Sequence, residues 1–254
     1  MKIFCIGKKK AAISFFAAFA LIAAVFAANA FAPAAYATFA KKRVLPIYSV
    51  EREDKTIAIS FDCAWGAEHT DELLKIMDEQ DVKCTFFMVQ FWAEKYPDYV
   101  KKIAAAGHEI GTHSRTHPKM SELTKEQIQS ELKTSCETIE NVTGKKVDLF
   151  RPPFGDYDDK VITAAENLGL YTIQWNVDSL DWKNLSAEQI AARVIKKAGS
   201  GSIILMHNNG LHTAESLPLI FTATQQKGLV YRPISELIYT DDFRITPDGT
   251  QIKN

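Results

Sequence analysis

Between residues 55 and 233 the chain changes rhythm about seven times, from short β-branched and aromatic runs to longer stretches with apolar residues at helical spacing. The short runs, at 55–61, 84–89, 109–113, 147–153, 171–176, 202–207 and 229–233, read as buried strands. The longer ones, at 70–79, 96–106, 124–143, 158–168, 187–198 and 214–226, read as helices. In 124–143, Ile128, Leu132, Cys136 and Ile139 share one face. Thr124 with Gln127 and Ser186 with Gln189 have capping-box spacing, and Gly107, Gly144, Gly169 and Gly199 stand where helices should stop. Such alternation demands parallel strands joined by helical crossovers, in a closed or nearly closed barrel or an open doubly wound sheet. There is no internal repeat, so one α/β domain is expected over 55–240, with 38–54 a connector and 241–254 a tail.

In parallel α/β folds, sites form at the carboxyl ends of the strands. Reactive side chains collect there in this chain. Strand one runs into Phe61-Asp62-Cys63-Ala64-Trp65-Gly66, and strand three into His113-Ser114-Arg115-Thr116-His117, with Pro118 barring regular continuation. Strand four runs into Arg151-Pro152-Pro153-Phe154-Gly155. Asp178-Ser179-Leu180-Asp181-Trp182 follows strand five, and Leu205-Met206-His207 ends strand six. Each has a bland reading as a cap, a rigid loop or a hydrogen-bonded core group. Five in order on one edge point to a built site. Two imidazoles separated by three residues can turn onto one cation where the backbone bends, and imidazole is the commonest ligand for zinc.

These five motifs together resemble the polysaccharide deacetylase family, the NodB-homology or carbohydrate esterase family 4 domain, over about residues 55–235. The Asp-x-x-Trp-Gly form at Asp62–Gly66 is similar to the sporulation-associated branch. The resemblance implies a single distorted (β/α)7 barrel of the NodB-homology type. It also implies hydrolysis of N-acetyl groups from an extracellular glycan, with peptidoglycan first, that of a spore envelope included, and chitin oligomers second. His113 and His117 would hold a divalent metal, Zn²⁺ or Co²⁺, that lowers the pKa of bound water. Asp62 would be the general base, oriented and kept ionised by Arg151, and His207, supported by Asp181, the general acid. The backbone N–H of Phe154 would face the oxyanion, and Trp182 and Leu205 would wall the acetyl slot.

One position departs from the family pattern. Where the strand-one motif usually carries a second Asp as third metal ligand, this chain has Cys63. Either its thiolate binds the metal, or Glu68 or water replaces it, or metal binding is weak, or Cys63 is a buried bystander. Cys63 is also what favours a rival reading, a glycan-binding envelope protein with little or no turnover. A third reading is an amidase acting on a non-sugar amide.

Lys8, Lys9 and Lys10 precede an uncharged run from Ala11 to Ala40, and Ala35-Tyr36-Ala37 has a signal-peptidase pattern. Residues 1–37 are therefore expected to be a signal peptide or, through residues 11–30, a membrane anchor, with the domain outside the cytoplasm. Without those residues, which hold four Lys and no acid, the chain has 26 basic and 31 acidic side chains, a net charge of −5. That excess of acid argues against nucleic acid as a partner. Cys63, Cys84 and Cys136 are an odd number, so they cannot all pair within the chain.

Overall fold

The structure, a computed structural model, describes residues 44–254 together with Ala20, Ile22, Val25 and Phe26, which are helical. The expected signal peptide or anchor lies otherwise outside the described residues. No helix among the described residues is long and apolar enough to cross a membrane.

Residues 44–254 form one compact unit. Its strands are β1 (Ser49–Val50), β2 (Thr56–Cys63), β3 (Thr85–Met88), β4 (Glu109–Thr112), β5 (Leu149–Phe150), β6 (Tyr171–Thr172), β7 (Val177–Asp178), β8 (Ile203–His207), β9 (Val230–Tyr231), β10 (Phe243–Ile245) and β11 (Thr250–Lys253). Its helices are α1 (Thr70–Glu79), α2 (Gln90–Lys95), α3 (Pro97–Ala105), α4 (Lys125–Thr143), α5 (Asp159–Glu166), α6 (Ala187–Lys197), α7 (Thr213–Gln226) and the single turn α8 (Ile234–Leu237). Seven strands curl into one parallel sheet in the order β6-β5-β4-β3-β2-β8-β7, and β9 also pairs in parallel with β2. This is the half-barrel with flanking helices expected of a (β/α)7 fold.

Two apolar layers hold the sheet. On its outer face Ile57, Ile59, Phe61 and Cys63 of β2 and Phe86 of β3 pack with Leu73, Met77, Ile128 and Leu217 from the helices. Phe61 and Phe86 stack with ring centroids 5.1 Å apart, a contact worth roughly 0.5–1.5 kcal/mol beyond area burial. The inner face is narrower. Ala58, Phe87, Leu149, Ile173 and Ile203 fill it, and Ile234 and Leu237 of α8 pack in the same layer. Both expected capping boxes are formed, at Thr124 and Ser186. Each such cap contributes about 1 kcal/mol to the start of its helix.

The described part of the connector, from Val44 on, and the tail are structured. Ile47 bridges Ile173 beyond β6, and Ser49 bridges Ser202 before β8, so this segment lies across the seam between the two ends of the curled sheet. Gly201 makes that approach feasible: it has φ +76°, and a Cβ there would meet the Val50 carbonyl oxygen at 1.6 Å. β11 pairs in parallel with β1 and antiparallel with β10, so the C-terminal residues fold back onto this segment as a hairpin.

The register sets the level of the site. Asp62 lies opposite both Phe87 and His207, Met88 opposite Thr112, Thr112 opposite Phe150, and Asp178 opposite Leu205. The residues that follow β4 and β5 therefore leave the sheet level with Cys63, while β7 ends three residues lower, level with Ser60.

Candidate active site

Strand alternation puts Asp62 on the inner face, between Ser60 below and the loops above. Its Oδ1 accepts from Arg151 Nη1 at 2.8 Å, and its Oδ2 lies 3.5 Å from His113 Nε2. Burial alone would raise the Asp62 pKa. The Arg151 guanidinium is the largest opposing influence, and the carboxyl is held below the usual range. Arg151 is fully buried. It lies 4.2 Å above the Phe87 ring and donates through Nη2 to the Gln174 carbonyl at 3.2 Å. Among the described residues its one ion-pair partner is Asp62, and it reaches the cavity through that carboxylate.

The His-x-x-x-His loop is held as the sequence cannot show. His113 Nδ1–H donates to the Arg151 carbonyl at 2.7 Å, which leaves Nε2 bare and turned toward Asp62. Ser114 and His117 both have positive φ, 72° and 58°. That sharp bend is fastened by Glu131 of α4, which accepts from the N–H groups of Arg115 and Thr116 at 2.9 and 2.8 Å. The His117 ring is clasped edge-on by Trp65, His113 and Phe154, at centroid distances of 4.9, 4.9 and 4.6 Å. Burial, the largest influence on each, pulls both imidazoles down in pKa, His117 to about 4. It favours their neutral forms, which have lone pairs to give.

His207 sits in the opposite environment. Its Nδ1 meets Asp181 Oδ1 at 2.7 Å, while Asp181 Oδ2 accepts from the His207 backbone N–H and from Thr213 Oγ1, each at 2.7 Å. Burial works against protonation, but the hydrogen bond and charge of Asp181 prevail and raise the His207 pKa. Asp181 is 1% exposed and reaches the cavity only through His207. Arg151 and Asp181, expected within the catalytic machinery, do not border the cavity, and each is bonded to a residue that does.

These groups border a cavity of about 570 Å³ whose walls include Asp62, His113, His117, Phe154, Leu205 and His207, with Trp182 on the far side. Of the nine expected site residues, seven line this space and the other two hold a lining residue from behind. Trp65, Trp175, Asp178 and Asn209 also line it; none had been assigned a role from sequence. Phe154 has φ 59° and an exposed ring.

Cys63 does not contribute. It follows Asp62 on the same strand, so its side chain points to the outer face, where it is fully buried among apolar residues. Burial there raises its thiol pKa well above the ordinary value, so the thiol stays protonated. The thiolate-ligand expectation is corrected by strand parity. Glu68 is exposed and does not line the cavity, so it does not fill the place either. His212 pairs with Glu215 at 2.8 Å outside the cavity, and His108 is a buried core residue beside Cys84.

No three His, Cys, Asp or Glu side chains among the described residues are gathered closely enough to form a closed metal site. The donors do fit an open one. Two imidazoles with ring centroids 4.9 Å apart, His113 and His117, border the cavity beside Asp62, and imidazole nitrogen is an ordinary zinc ligand. The set is one protein ligand short of a usual catalytic site.

Comparison with known proteins agrees with the geometry. Residues 49–173 match the family model described as polysaccharide deacetylase. The Bacillus subtilis protein YlxY is 37% identical over 76% of this chain, which spans 60% of that protein's length. The peptidoglycan-N-acetylmuramic acid deacetylase PdaA of Bacillus subtilis is 31% identical, with 78% of this chain and 77% of that one covered. The crystal structure of BA3943, described as a family 4 carbohydrate esterase pseudoenzyme from Bacillus anthracis, superposes with a TM-score of 0.74. It is 35% identical over 76% of this chain and 68% of that one.

Proposed function

Because the chain belongs to the polysaccharide deacetylase family, we propose that it removes N-acetyl groups from a peptidoglycan-type glycan at the bacterial cell envelope, releasing acetate. The observation that carries this reading is the pairing of two oppositely tuned groups in one cavity: Asp62, whose carboxyl Arg151 holds below the usual range, and His207, whose pKa Asp181 raises.

An amide is a poor electrophile with a poor leaving group, so its hydrolysis needs a base, an oxyanion partner and an acid. His113 and His117 would hold a divalent cation such as zinc, which would supply Lewis acidity for the acetyl carbonyl and acidify a water. Asp62 takes the proton from the attacking water, and its fixed bond to Arg151 aims the free oxygen at the cavity. His207 gives a proton to the departing sugar nitrogen, and Asp181 stabilises the charged imidazole before that transfer. Leu205 and Trp182 offer an apolar wall for the acetyl methyl. The backbone N–H of Phe154, at its turn after β5, would face the oxyanion.

Two observations favour a second reading, glycan binding with little turnover. Cys63 leaves the metal one protein ligand short, and a 35% identical structure carries the description pseudoenzyme. A mutant of that protein is described as having restored enzymatic activity, with 36% identity to this chain. Acetate release from N-acetylated peptidoglycan fragments separates the readings. The deacetylase reading predicts release that a chelator abolishes and Zn²⁺ or Co²⁺ restores. Binding of the fragments with no acetate under either metal establishes the second reading instead.

A further inference from the structure

Trp65 belongs to the strand-one motif yet has no part in the proton transfers. It is 57% exposed and borders the mouth of the cavity. Its only ring contact among the described residues is the edge of His117 at 4.9 Å. A large apolar face open to water at a cavity mouth is a recognition surface when it is held still. It is held still. The next residue, Gly66, has φ +63°, and its carbonyl accepts from Trp92 Nε1 at 2.6 Å and from Asn208 Nδ2 at 2.9 Å. Both donors are buried. The Trp65 backbone is thus fixed by the core while its indole faces solvent. Across the cavity Trp182 is 55% exposed, but Lys183 Nζ sits 4.8 Å from its ring centroid. Of the two indoles, Trp65 has the clearer face.

We infer that Trp65 forms a stacking subsite for the apolar C–H face of a pyranose ring neighbouring the sugar that enters the acetyl slot. A rigid indole loses little conformational freedom on binding. Its ring N–H, which makes no hydrogen bond among the described residues, can donate to a sugar hydroxyl. The ligand is accordingly an oligosaccharide of two or more rings rather than a lone sugar or a small amide. The inference rests on the glycan reading of the cavity but not on turnover.

The test uses the full chain, metal-free, with chitotetraose as probe. Oxidation of individual tryptophans by N-bromosuccinimide is mapped by mass spectrometry with and without the tetrasaccharide, and affinity is measured by calorimetry. The subsite predicts several-fold protection of Trp65 by the bound tetrasaccharide. It also predicts an affinity loss of about tenfold or more in Trp65→Ala, against a loss within about threefold in Trp65→Phe. Unchanged oxidation of Trp65 in the saturated wild type overturns the subsite, as does full affinity in Trp65→Ala. A wild type that does not bind chitotetraose at all overturns the glycan reading with it.

Discussion

The imidazoles on the two sides of this cavity are chemically identical and have been given opposite properties. On the β4 side, His113 and His117 are desolvated by burial, and their pKa values are depressed. On the β8 side, His207 is also desolvated, but Asp181 stands behind it and its pKa is raised. The first pair is thereby suited to donate lone pairs, and the second to donate a proton. The two sides also differ in completeness. The acid side is closed: both Asp181 oxygens are engaged, by His207 and Thr213. The ligand side is one donor short, because the residue after Asp62 points away from it. Any weakness in this site therefore lies in holding a cation and not in moving protons.

The largest effect should come from Asp62, which borders both sides. Asp62→Asn removes the base, and acetate release should fall by on the order of 10²–10⁴-fold. Metal content, measured by mass spectrometry, should stay because His113 and His117 are intact. Retained turnover in this variant would remove the base assignment.

Asp181→Asn breaks only the acid side. Turnover should fall by about 10–100-fold. Because Asp181 raises the His207 pKa, its loss lowers that pKa, and the alkaline limb of the pH–rate profile moves to lower pH. Zinc affinity should not change. An unmoved limb with the same loss of rate would make Asp181 a purely structural residue.

How far this was legible from sequence depends on the distance each contact spans. The five motifs sit at strand ends and announce the site by residue type and order; the alternation of strand and helix pointed to a parallel α/β sheet, and the family resemblance supplied the barrel. Cys63 was ambiguous because the first strand was expected to stop at Phe61. It runs on to Cys63, and period-two alternation then forces Asp62 in and Cys63 out. The supports could not be read at all. Glu131 reaches Arg115 and Thr116 from the middle of an amphipathic helix, and Thr213 reaches Asp181 from the start of another. Nothing local marks either. The C-terminal hairpin did leave a signal, the turn residues Pro247-Asp248-Gly249 between short strands. Its strands are too short to show alternation.

A smaller effect concerns stability and sets the active-site imidazoles against one in the core. His108 is 3% exposed, and its pKa is lowered to about 4, chiefly by burial. The unfolded chain binds this proton below about pH 6.5 and the folded chain only near pH 4. Stability should therefore be full above that range and decline as pH falls from 6.5 to 4, by on the order of 3 kcal/mol from this group. In His108→Gln the decline should flatten by about that amount in denaturant titrations at pH 7 and pH 4.5. An unflattened profile would assign the acid sensitivity to other groups.

In the proposed site His113 and His117 supply the nitrogen donors to the cation, and Cys63 takes no part. Zinc stoichiometry of the wild type, His113→Ala and Cys63→Ala, measured side by side on folded protein, tests it most directly. The account predicts one equivalent in the wild type and in Cys63→Ala, and none in His113→Ala. Loss of zinc in Cys63→Ala, or its retention in His113→Ala, would contradict it.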